Sequence, residues 1–211
     1  MSAQLFNWID LALEVLNQSN RRVIWNLFLA LIPLVVSFWL FRPSASRSGI
    51  WWTIFLVFVA FLPNAPYVLT DTIHIPELIA RGYPLSVVFF ILIPQYILFI
   101  WVGFQAYVIA LMRLDNYLIY LDKEHYLKVI NASAHILCVI GIYLGRFERF
   151  NSWDLVTQPL VVINTTLHDL MSIWQTLTMA IACWLIWGLS WLIKSLNNRI
   201  INRISQQTSE I

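Results

Sequence analysis

The chain has 211 residues, of which 60% are hydrophobic and only 11% are charged. Soluble domains carry about 25% charged residues, so a mean hydropathy of +0.72 indicates a protein whose solvent is lipid. The formal net charge of +2 and the lack of a dense basic block exclude nucleic acid as a partner.

The first 20 residues predict an amphipathic helix. Polar residues recur there at spacings of three and four, at Asn7, Asp10, Glu14 and Asn17, between apolar residues. A secretory signal would need a basic start followed by an apolar run, and this segment has neither. We therefore expect a helix that lies in the membrane interface or against a helical bundle.

Five apolar stretches reach the roughly 17 to 25 residues that a membrane-crossing helix needs. They are residues 23–41, 50–69, 84–112, 127–144 and 172–193. The third is long enough to require a tilt, or a bend at Pro94. Residues 155–170 predict a short interfacial or re-entrant helix, or a sixth span if they cross. The predicted fold is an all-α transmembrane helix bundle that forms one integral membrane domain over residues 1–211.

The distribution of basic residues predicts the orientation. The loops on one side hold Arg42, Arg47, Arg113, Lys123, Lys128, Lys194, Arg199 and Arg203, and those on the other hold Arg21, Arg22, Arg81, Arg146 and Arg149. Because cytoplasmic loops carry the excess of Lys and Arg, the C-terminus is predicted to be cytoplasmic. With five spans, residues 67–74 and 145–154 emerge on the same side in either orientation.

Two prolines interrupt the end of the second span. Pro63 and Pro66 have no backbone N–H, so the helix must kink or unwind, and the carbonyls of Val59 and Leu62 lose their usual partners. Asn64 lies between the prolines and has an amide suited either to satisfying such a carbonyl or to binding an ion.

A polar helical face follows these prolines. If a new helix starts at Pro66, then Tyr67, Asp71 and His74 lie on one face with Thr70 beside them, and Pro76 should end the helix. One interpretation is a divalent metal site or a proton relay. The alternative is structural, with Asp71 and His74 bonded to each other or to an arginine of another loop.

The second polar segment contains two arginines one helical turn apart. Arg146 and Arg149 suit bidentate pairing with a carboxylate or a phosphate. They predict either an ion pair with Asp71 or Glu148 that holds two loops together, or a site for the phosphate of an anionic lipid headgroup. Both interpretations stay open, because the arginines need partners in either case.

The same segment predicts the start of a short helix. Asn151 or Ser152 would cap a helix beginning at Trp153, with Asp154 in its first turn. Trp153 would then anchor the segment at the membrane interface.

His168 extends the candidate metal chemistry. If residues 155–170 are re-entrant, His168 joins Asp71, His74, Glu148 and Asp154 on one side of the membrane. This set would suit an open metal site with a bound water, and Asp71, His74 and Glu148 are the candidate catalytic groups. The alternative is that His168 is an interfacial cap.

The two polar segments carry a family resemblance. Leu62 to Asp71 matches a Leu-Pro-Asn-Ala-Pro-Tyr-x-Leu-Thr-Asp motif, and Arg149 to Asp154 matches an Arg-Phe-Asn-Ser-Trp-Asp motif. In these motifs the chain resembles an uncharacterised family of bacterial multi-spanning membrane proteins. The resemblance implies an all-helical protein of a bacterial cell membrane. It implies no activity, cofactor or catalytic residue.

Three functions compete at this stage. A membrane enzyme would gather the metal or acid–base candidates in one pocket at headgroup level. A small transporter or channel would line a path with Gln95, Gln105, Asn131 and His135. A structural or assembly subunit would bind another membrane protein and use its polar motifs only to hold the bundle together, so its charges would be paired and its site filled.

Overall fold

The computed structural model describes residues 2–151 and 153–209. Helix accounts for 87% of the described residues, which contain no strand. Five helices are long and apolar enough to cross a membrane: Trp8–Leu40, Gly49–Ile79, Leu85–Tyr120, Glu124–Arg146 and Ile173–Gln207. Each overlaps one of the five predicted spans, so the transmembrane helix bundle is confirmed.

The amphipathic segment and the first span form one helix, α1 (Ser2–Leu40). With 39 residues it is about 58 Å long, nearly twice the roughly 30 Å hydrocarbon core. The N-terminal segment is helical as predicted, but it continues into the span without a break. Its polar face contacts the loop after the second span, where Arg81 donates to Gln18 and the Tyr83 hydroxyl donates to Glu14. Desolvation, followed by this hydrogen bond, raises the pKa of Tyr83.

The second span is broken where the prolines predict it. Helix α2 (Gly49–Phe61) is capped by the Ser48 side chain and is followed by the short helix α3 (Asn64–Tyr67). A 3-10 turn (Val68–Ile73) and helix α4 (His74–Ile79) complete the segment. The prediction that Pro76 ends the helix is wrong. Pro76 lies in the first turn of α4, where a missing N–H costs little.

Two glycines allow this broken segment to pack closely against its neighbours. A Cβ atom at Gly141 would lie 2.6 Å from the Cβ of Pro63, and one at Gly103 would lie 2.8 Å from Val68. These separations are shorter than van der Waals contact, so only glycine lets the backbones approach this far.

The third span is irregular just before Pro94. Helix α5 (Leu85–Val87) passes through a π-helical turn (Val88–Leu92) into α6 (Ile93–Tyr120). A proline ring clashes with the carbonyl four residues earlier, and a widened turn relieves this clash. Helix α6 buries more side chains than any other helix and packs against α1, α7 and α10.

The last part of the chain contains two long helices and two short ones. A 3-10 turn (Glu124–Tyr126) leads into α7 (Leu127–Arg146), followed by α8 (Asp154–Thr157), α9 (Pro159–Met171) and α10 (Ile173–Ser209). Helix α9 has 13 residues and is about 20 Å long, too short to cross the hydrocarbon core. It is therefore not among the five candidate spans.

Candidate functional site

Asp71 and Arg146, one from each polar motif region, form an ion pair. Arg146 Nη2 lies 2.8 Å from Asp71 Oδ1, and Asn26 Nδ2 of α1 donates to Asp71 Oδ2 at 2.6 Å. Both carboxylate oxygens are therefore occupied, and the Asp71 side chain is only 5% exposed. We call Asn26, Asp71 and Arg146 the clasp, because they join α1, the broken second span and the end of α7.

The local fold of the first motif also holds the arginine in place. Arg146 Nε donates to Thr70 Oγ1 at 3.2 Å, and its guanidinium lies 4.7 Å from the centre of the Tyr67 ring. The Thr70 hydroxyl in turn donates to the Tyr67 carbonyl. The proline break places Tyr67, Thr70 and Asp71 around one guanidinium, which accounts for three of the motif's polar side chains.

The side-chain amide of Asn64 hydrogen-bonds a backbone carbonyl of the same motif region. Asn64 Nδ2 donates to the Phe61 carbonyl at 3.1 Å, and the Leu62 carbonyl accepts from the Ala65 N–H at 3.2 Å. Carbonyls released by the proline break are thus repaired by nearby donors of the same segment.

A second polar layer lies one turn from the clasp. Arg22 precedes Asn26 by four residues, and His74 follows Asp71 by three, so the two pairs stack along their helices. Arg22 Nη1 lies 3.0 Å from His74 Nδ1, and Glu77 Oε2 lies 3.1 Å from the same nitrogen. The imidazole nitrogen can accept from Arg22 or donate to Glu77 but not both, so its tautomer selects the partner. This layer is more open than the clasp, with Glu77 57% exposed.

Two further charged residues of the second polar segment face outward. Glu148 and Arg149 are exposed, and neither forms an ion pair with any residue that the structure describes. Arg149 has a φ of 60°, a left-handed conformation that is uncommon for a side chain of this size. Of the two predicted ion pairs, Arg146 makes the one with Asp71.

The start of α8 differs from the prediction. The helix begins at Asp154, and the Asp154 carboxylate accepts the backbone N–H of Asn151 at 2.6 Å. The predicted cap from the Asn151 side chain is therefore replaced by a contact in the opposite direction, and Ser152 lies outside the described residues. Trp153 is 54% exposed, as an interfacial anchor would be.

The metal candidates have separate partners. Asp71 faces Arg146 and Asn26, and His74 faces Arg22 and Glu77, while the His168 side chain is 84% exposed and lies near Asp169 at 3.5 Å. Among the described residues, no three His, Cys, Asp or Glu side chains are grouped so that they could hold a metal ion. The divalent metal site stays a prediction without support from this geometry.

The residues proposed for a transport path lie in different surroundings. Gln95 contacts Ser19 and Asn20 of α1, whereas the other three lie on α6 and α7 and contact α6 and α10. Gln105 donates to Asn197. The hydrogen bonds of the described residues therefore do not connect these four side chains into one polar path through the bundle.

Sequence reasoning missed several partners that complete these networks. Lys194 Nζ lies 2.7 Å from Asp115 Oδ2 and donates to Asn131, which itself donates to Asp115. His135 lies between the hydroxyls of Tyr107 and Ser190. The available signal was a polar residue inside or just after an apolar run, but the partners follow only from how the helices are rotated against each other.

Comparison with known protein families gives a match over residues 25–189 to the family described as protein of unknown function (DUF1361). The chain belongs to this family. The matched region contains the clasp and all five spans except the N-terminal part of α1 and the C-terminal part of α10. A search of curated proteins and a search of solved structures give no match. Family membership and five apolar helices together describe a multi-pass membrane protein of a family whose activity is unassigned.

Proposed function

We propose that this protein is a structural or assembly subunit of a membrane complex, and that its motif residues hold the bundle in shape. The observation that carries the proposal is the pairing of the buried Asp71 carboxylate within the chain. Its two oxygens are bound by Arg146 and Asn26 within the same chain, and its side chain is 95% shielded from solvent. This is the filled, charge-paired site that a structural role requires.

The same observation argues against chemistry at this carboxylate. A general base must reach the proton it removes, directly or through one water. A catalytic metal needs several protein ligands and one open coordination position. Asp71 offers neither access nor a free oxygen unless the clasp opens first.

A partner surface is available beside the clasp. Between the fourth and fifth spans, outside all five candidate spans, many large apolar side chains are exposed. They include Phe147, Trp153, Leu155, Val156, Leu160, Val161, Ile163, Leu167, Leu170 and Met171. Apolar surface on this scale is covered by the membrane interface or by another protein. This segment directly follows Arg146 of the clasp along the chain, and its apolar surface suits the docking of a second membrane subunit.

The test is the mass of the assembly taken directly from the membrane. Native discs cut out by an amphipathic copolymer should contain more protein than one chain of 24.7 kDa. The variant Val156→Glu, at a side chain 83% exposed, should release the monomer, while Ile200→Glu, the same apolar-to-acidic change at an exposed residue of α10, should not. A 24.7 kDa monomer in wild-type discs would contradict the assembly role.

Arg149 supports a second candidate function, the binding of an anionic lipid headgroup on the clasp side. It is exposed, and no carboxylate of the described residues pairs with it. Arg149→Gln should then reduce retention of phosphatidylglycerol over phosphatidylcholine. Equal retention by Arg149→Gln and the wild type would remove this candidate.

The proposed location is a bacterial cell membrane with a cytoplasmic C-terminus. It rests on the excess of Lys and Arg in the loops on the C-terminal side. Reporter fusions at the C-terminus that are active only outside the cytoplasm should stay silent.

A further inference from the structure

We propose that a pocket on the opposite side of the membrane from the clasp binds a phosphate group, supplied by an anionic phospholipid. We call this the arginine pocket. It is a cavity of about 200 Å³ lined by Phe41, Pro43, Arg113, Asn116, Tyr117 and Tyr120. It lies where α1 and α6 end, and the loop from Arg42 to Ser48 borders it.

The donors in this pocket come from one face of α6 and from the loop. Arg113, Asn116, Tyr117 and Tyr120 are spaced three and four residues apart, so they share a helical face. Arg47 of the loop donates from Nε to the Tyr117 hydroxyl at 3.4 Å, and its guanidinium lies 5.9 Å from the centre of that ring. Arg47 therefore contacts a tyrosine that lines the same pocket as Arg113.

These arginines carry charge that the described residues leave uncompensated. No Asp or Glu forms an ion pair with Arg42, Arg47 or Arg113 in the part of the chain that the structure describes. Asp115 comes two residues after Arg113, but its oxygens are engaged by Lys194 and Asn131. The positive charge at the pocket is therefore available to a ligand.

Arg113 also has an unused donor. Its Nε is buried and has no hydrogen-bond partner among the described atoms, although a second nitrogen donates weakly to the Phe38 carbonyl at 3.4 Å. The guanidinium is packed 4.1 Å from the centre of the Phe38 ring, which fixes its plane. A buried donor without an acceptor costs about 1–3 kcal/mol, so Arg113 has both an unsatisfied donor and a charge without a paired carboxylate among the described residues.

The depth of the pocket selects a phosphate over other anions. Trp39 lies under the Arg42 guanidinium at 5.3 Å, and Trp52 near the start of α2 is 53% exposed. Tryptophans of this kind mark the level of lipid headgroups. A phospholipid carries its phosphate at that level, and the arginine fork matches phosphate oxygens in pairs. The cavity of 200 Å³ exceeds the volume of six waters at about 30 Å³ each, which is room for one phosphate.

Lipid retention in discs of defined composition tests the proposal. The whole chain is placed in discs of phosphatidylcholine containing phosphatidylglycerol, and the bound anionic lipid is counted by native mass spectrometry. Arg47→Gln is the main variant, because Arg47 is exposed and its loss should leave the fold intact. Arg113→Lys keeps the charge but removes the planar guanidinium that can pair with two phosphate oxygens. Lys128→Gln removes an exposed charge on the same side but outside the pocket.

We expect Arg47→Gln and Arg113→Lys each to weaken retention roughly tenfold or more, as expected for the loss of a charged hydrogen bond. Lys128→Gln should weaken it at most about fivefold, the share of one surface charge. Equal losses in all three variants would overturn the proposal, because they would show surface attraction alone.

Competition with inorganic phosphate shows whether the pocket binds the phosphate of a lipid headgroup or free phosphate. If phosphate at millimolar concentration leaves the lipid bound, then the lipid headgroup is the ligand as proposed. If phosphate displaces the lipid from the wild type, the pocket binds free phosphate, and the proposed lipid source is overturned. Circular dichroism of each variant must match that of the wild type in both arms.

Discussion

Breaking the clasp should show a large energetic coupling between Asp71 and Arg146. In Asp71→Asn the amide can offer only one oxygen, so either Arg146 or Asn26 faces an NH2 group. In Arg146→Gln the buried Asp71 charge keeps only neutral donors. Each single change removes one partner of a shielded ion pair and leaves the other without compensation.

The expected cost follows from this burial. Loss of one partner of a buried ion pair costs about 3–5 kcal/mol. Because the Arg146 side chain keeps 17% of its exposure, we expect the lower end, about 3 kcal/mol for each single variant. The double variant has no uncompensated charge, so we expect about 4 kcal/mol in total and a coupling energy of about 2 kcal/mol.

The coupling is measured by reversible unfolding in mixed micelles. Sodium dodecyl sulfate is titrated against the folded protein, and helicity is followed by circular dichroism for the wild type, both single variants and the double variant. A matched cycle on Glu148→Gln and Arg149→Gln, both exposed in the same motif region, should show coupling within about 0.5 kcal/mol. If the clasp cycle also gives less than 0.5 kcal/mol, the ion pair does not hold these helices together.

Two further changes test the packing of the broken span and the network on the opposite side. Gly141→Ala should destabilise the fold by about 1–3 kcal/mol, because its Cβ would clash with Pro63, whereas Gly188→Ala, with open space around it, should be neutral or stabilising by up to about 1 kcal/mol. Lys194→Met should cost about 2–3 kcal/mol by leaving the Asp115 carboxylate uncompensated, less than full burial would give because Asp115 is 22% exposed. Both are measured by the same micelle titration.

The outcomes that would contradict these two predictions are specific. Equal stability of the two glycine variants would show that the approach of α7 to Pro63 is looser than 2.6 Å implies. A Lys194→Met variant as stable as the wild type would show that Asp115 is adequately solvated or neutral without the lysine.

The sequence predicts the spans well because span length and hydropathy depend on the bilayer rather than on tertiary contacts. It also predicts that Asp71 and an arginine of residues 145–154 lie on one side, because two spans, an even number, separate these segments along the chain. The pairing of Arg146 with Asp71 was one of the alternatives left open. Choosing between alternatives needed the rotation of α7 about its axis, which no local pattern specifies.

The partners contributed by other helices were out of reach for the same reason. In the sequence, Asn26 is an isolated polar residue in an apolar run. In the structure, α1 packs against the broken span, and Asn26 Nδ2 lies 2.6 Å from Asp71 Oδ2. The prediction that Pro76 ends the helix is wrong because the effect of a proline depends on its position in the helix. In an interior position it would have ended α4, but in the first turn it has no hydrogen bond to break.

The two ends of the bundle use arginine in opposite ways. At the clasp, Arg146 is held by a carboxylate, a hydroxyl and an aromatic ring of its own chain, so its loss should appear first as lost stability. At the arginine pocket, Arg47 contacts a tyrosine and pairs with no carboxylate of residues 2–151 and 153–209, so its loss should leave stability nearly unchanged and weaken phosphate binding. A basic residue that helps to predict orientation from the sequence can therefore stabilise the fold or bind a ligand. Its role depends on whether a carboxylate of the same chain lies close enough to pair with it.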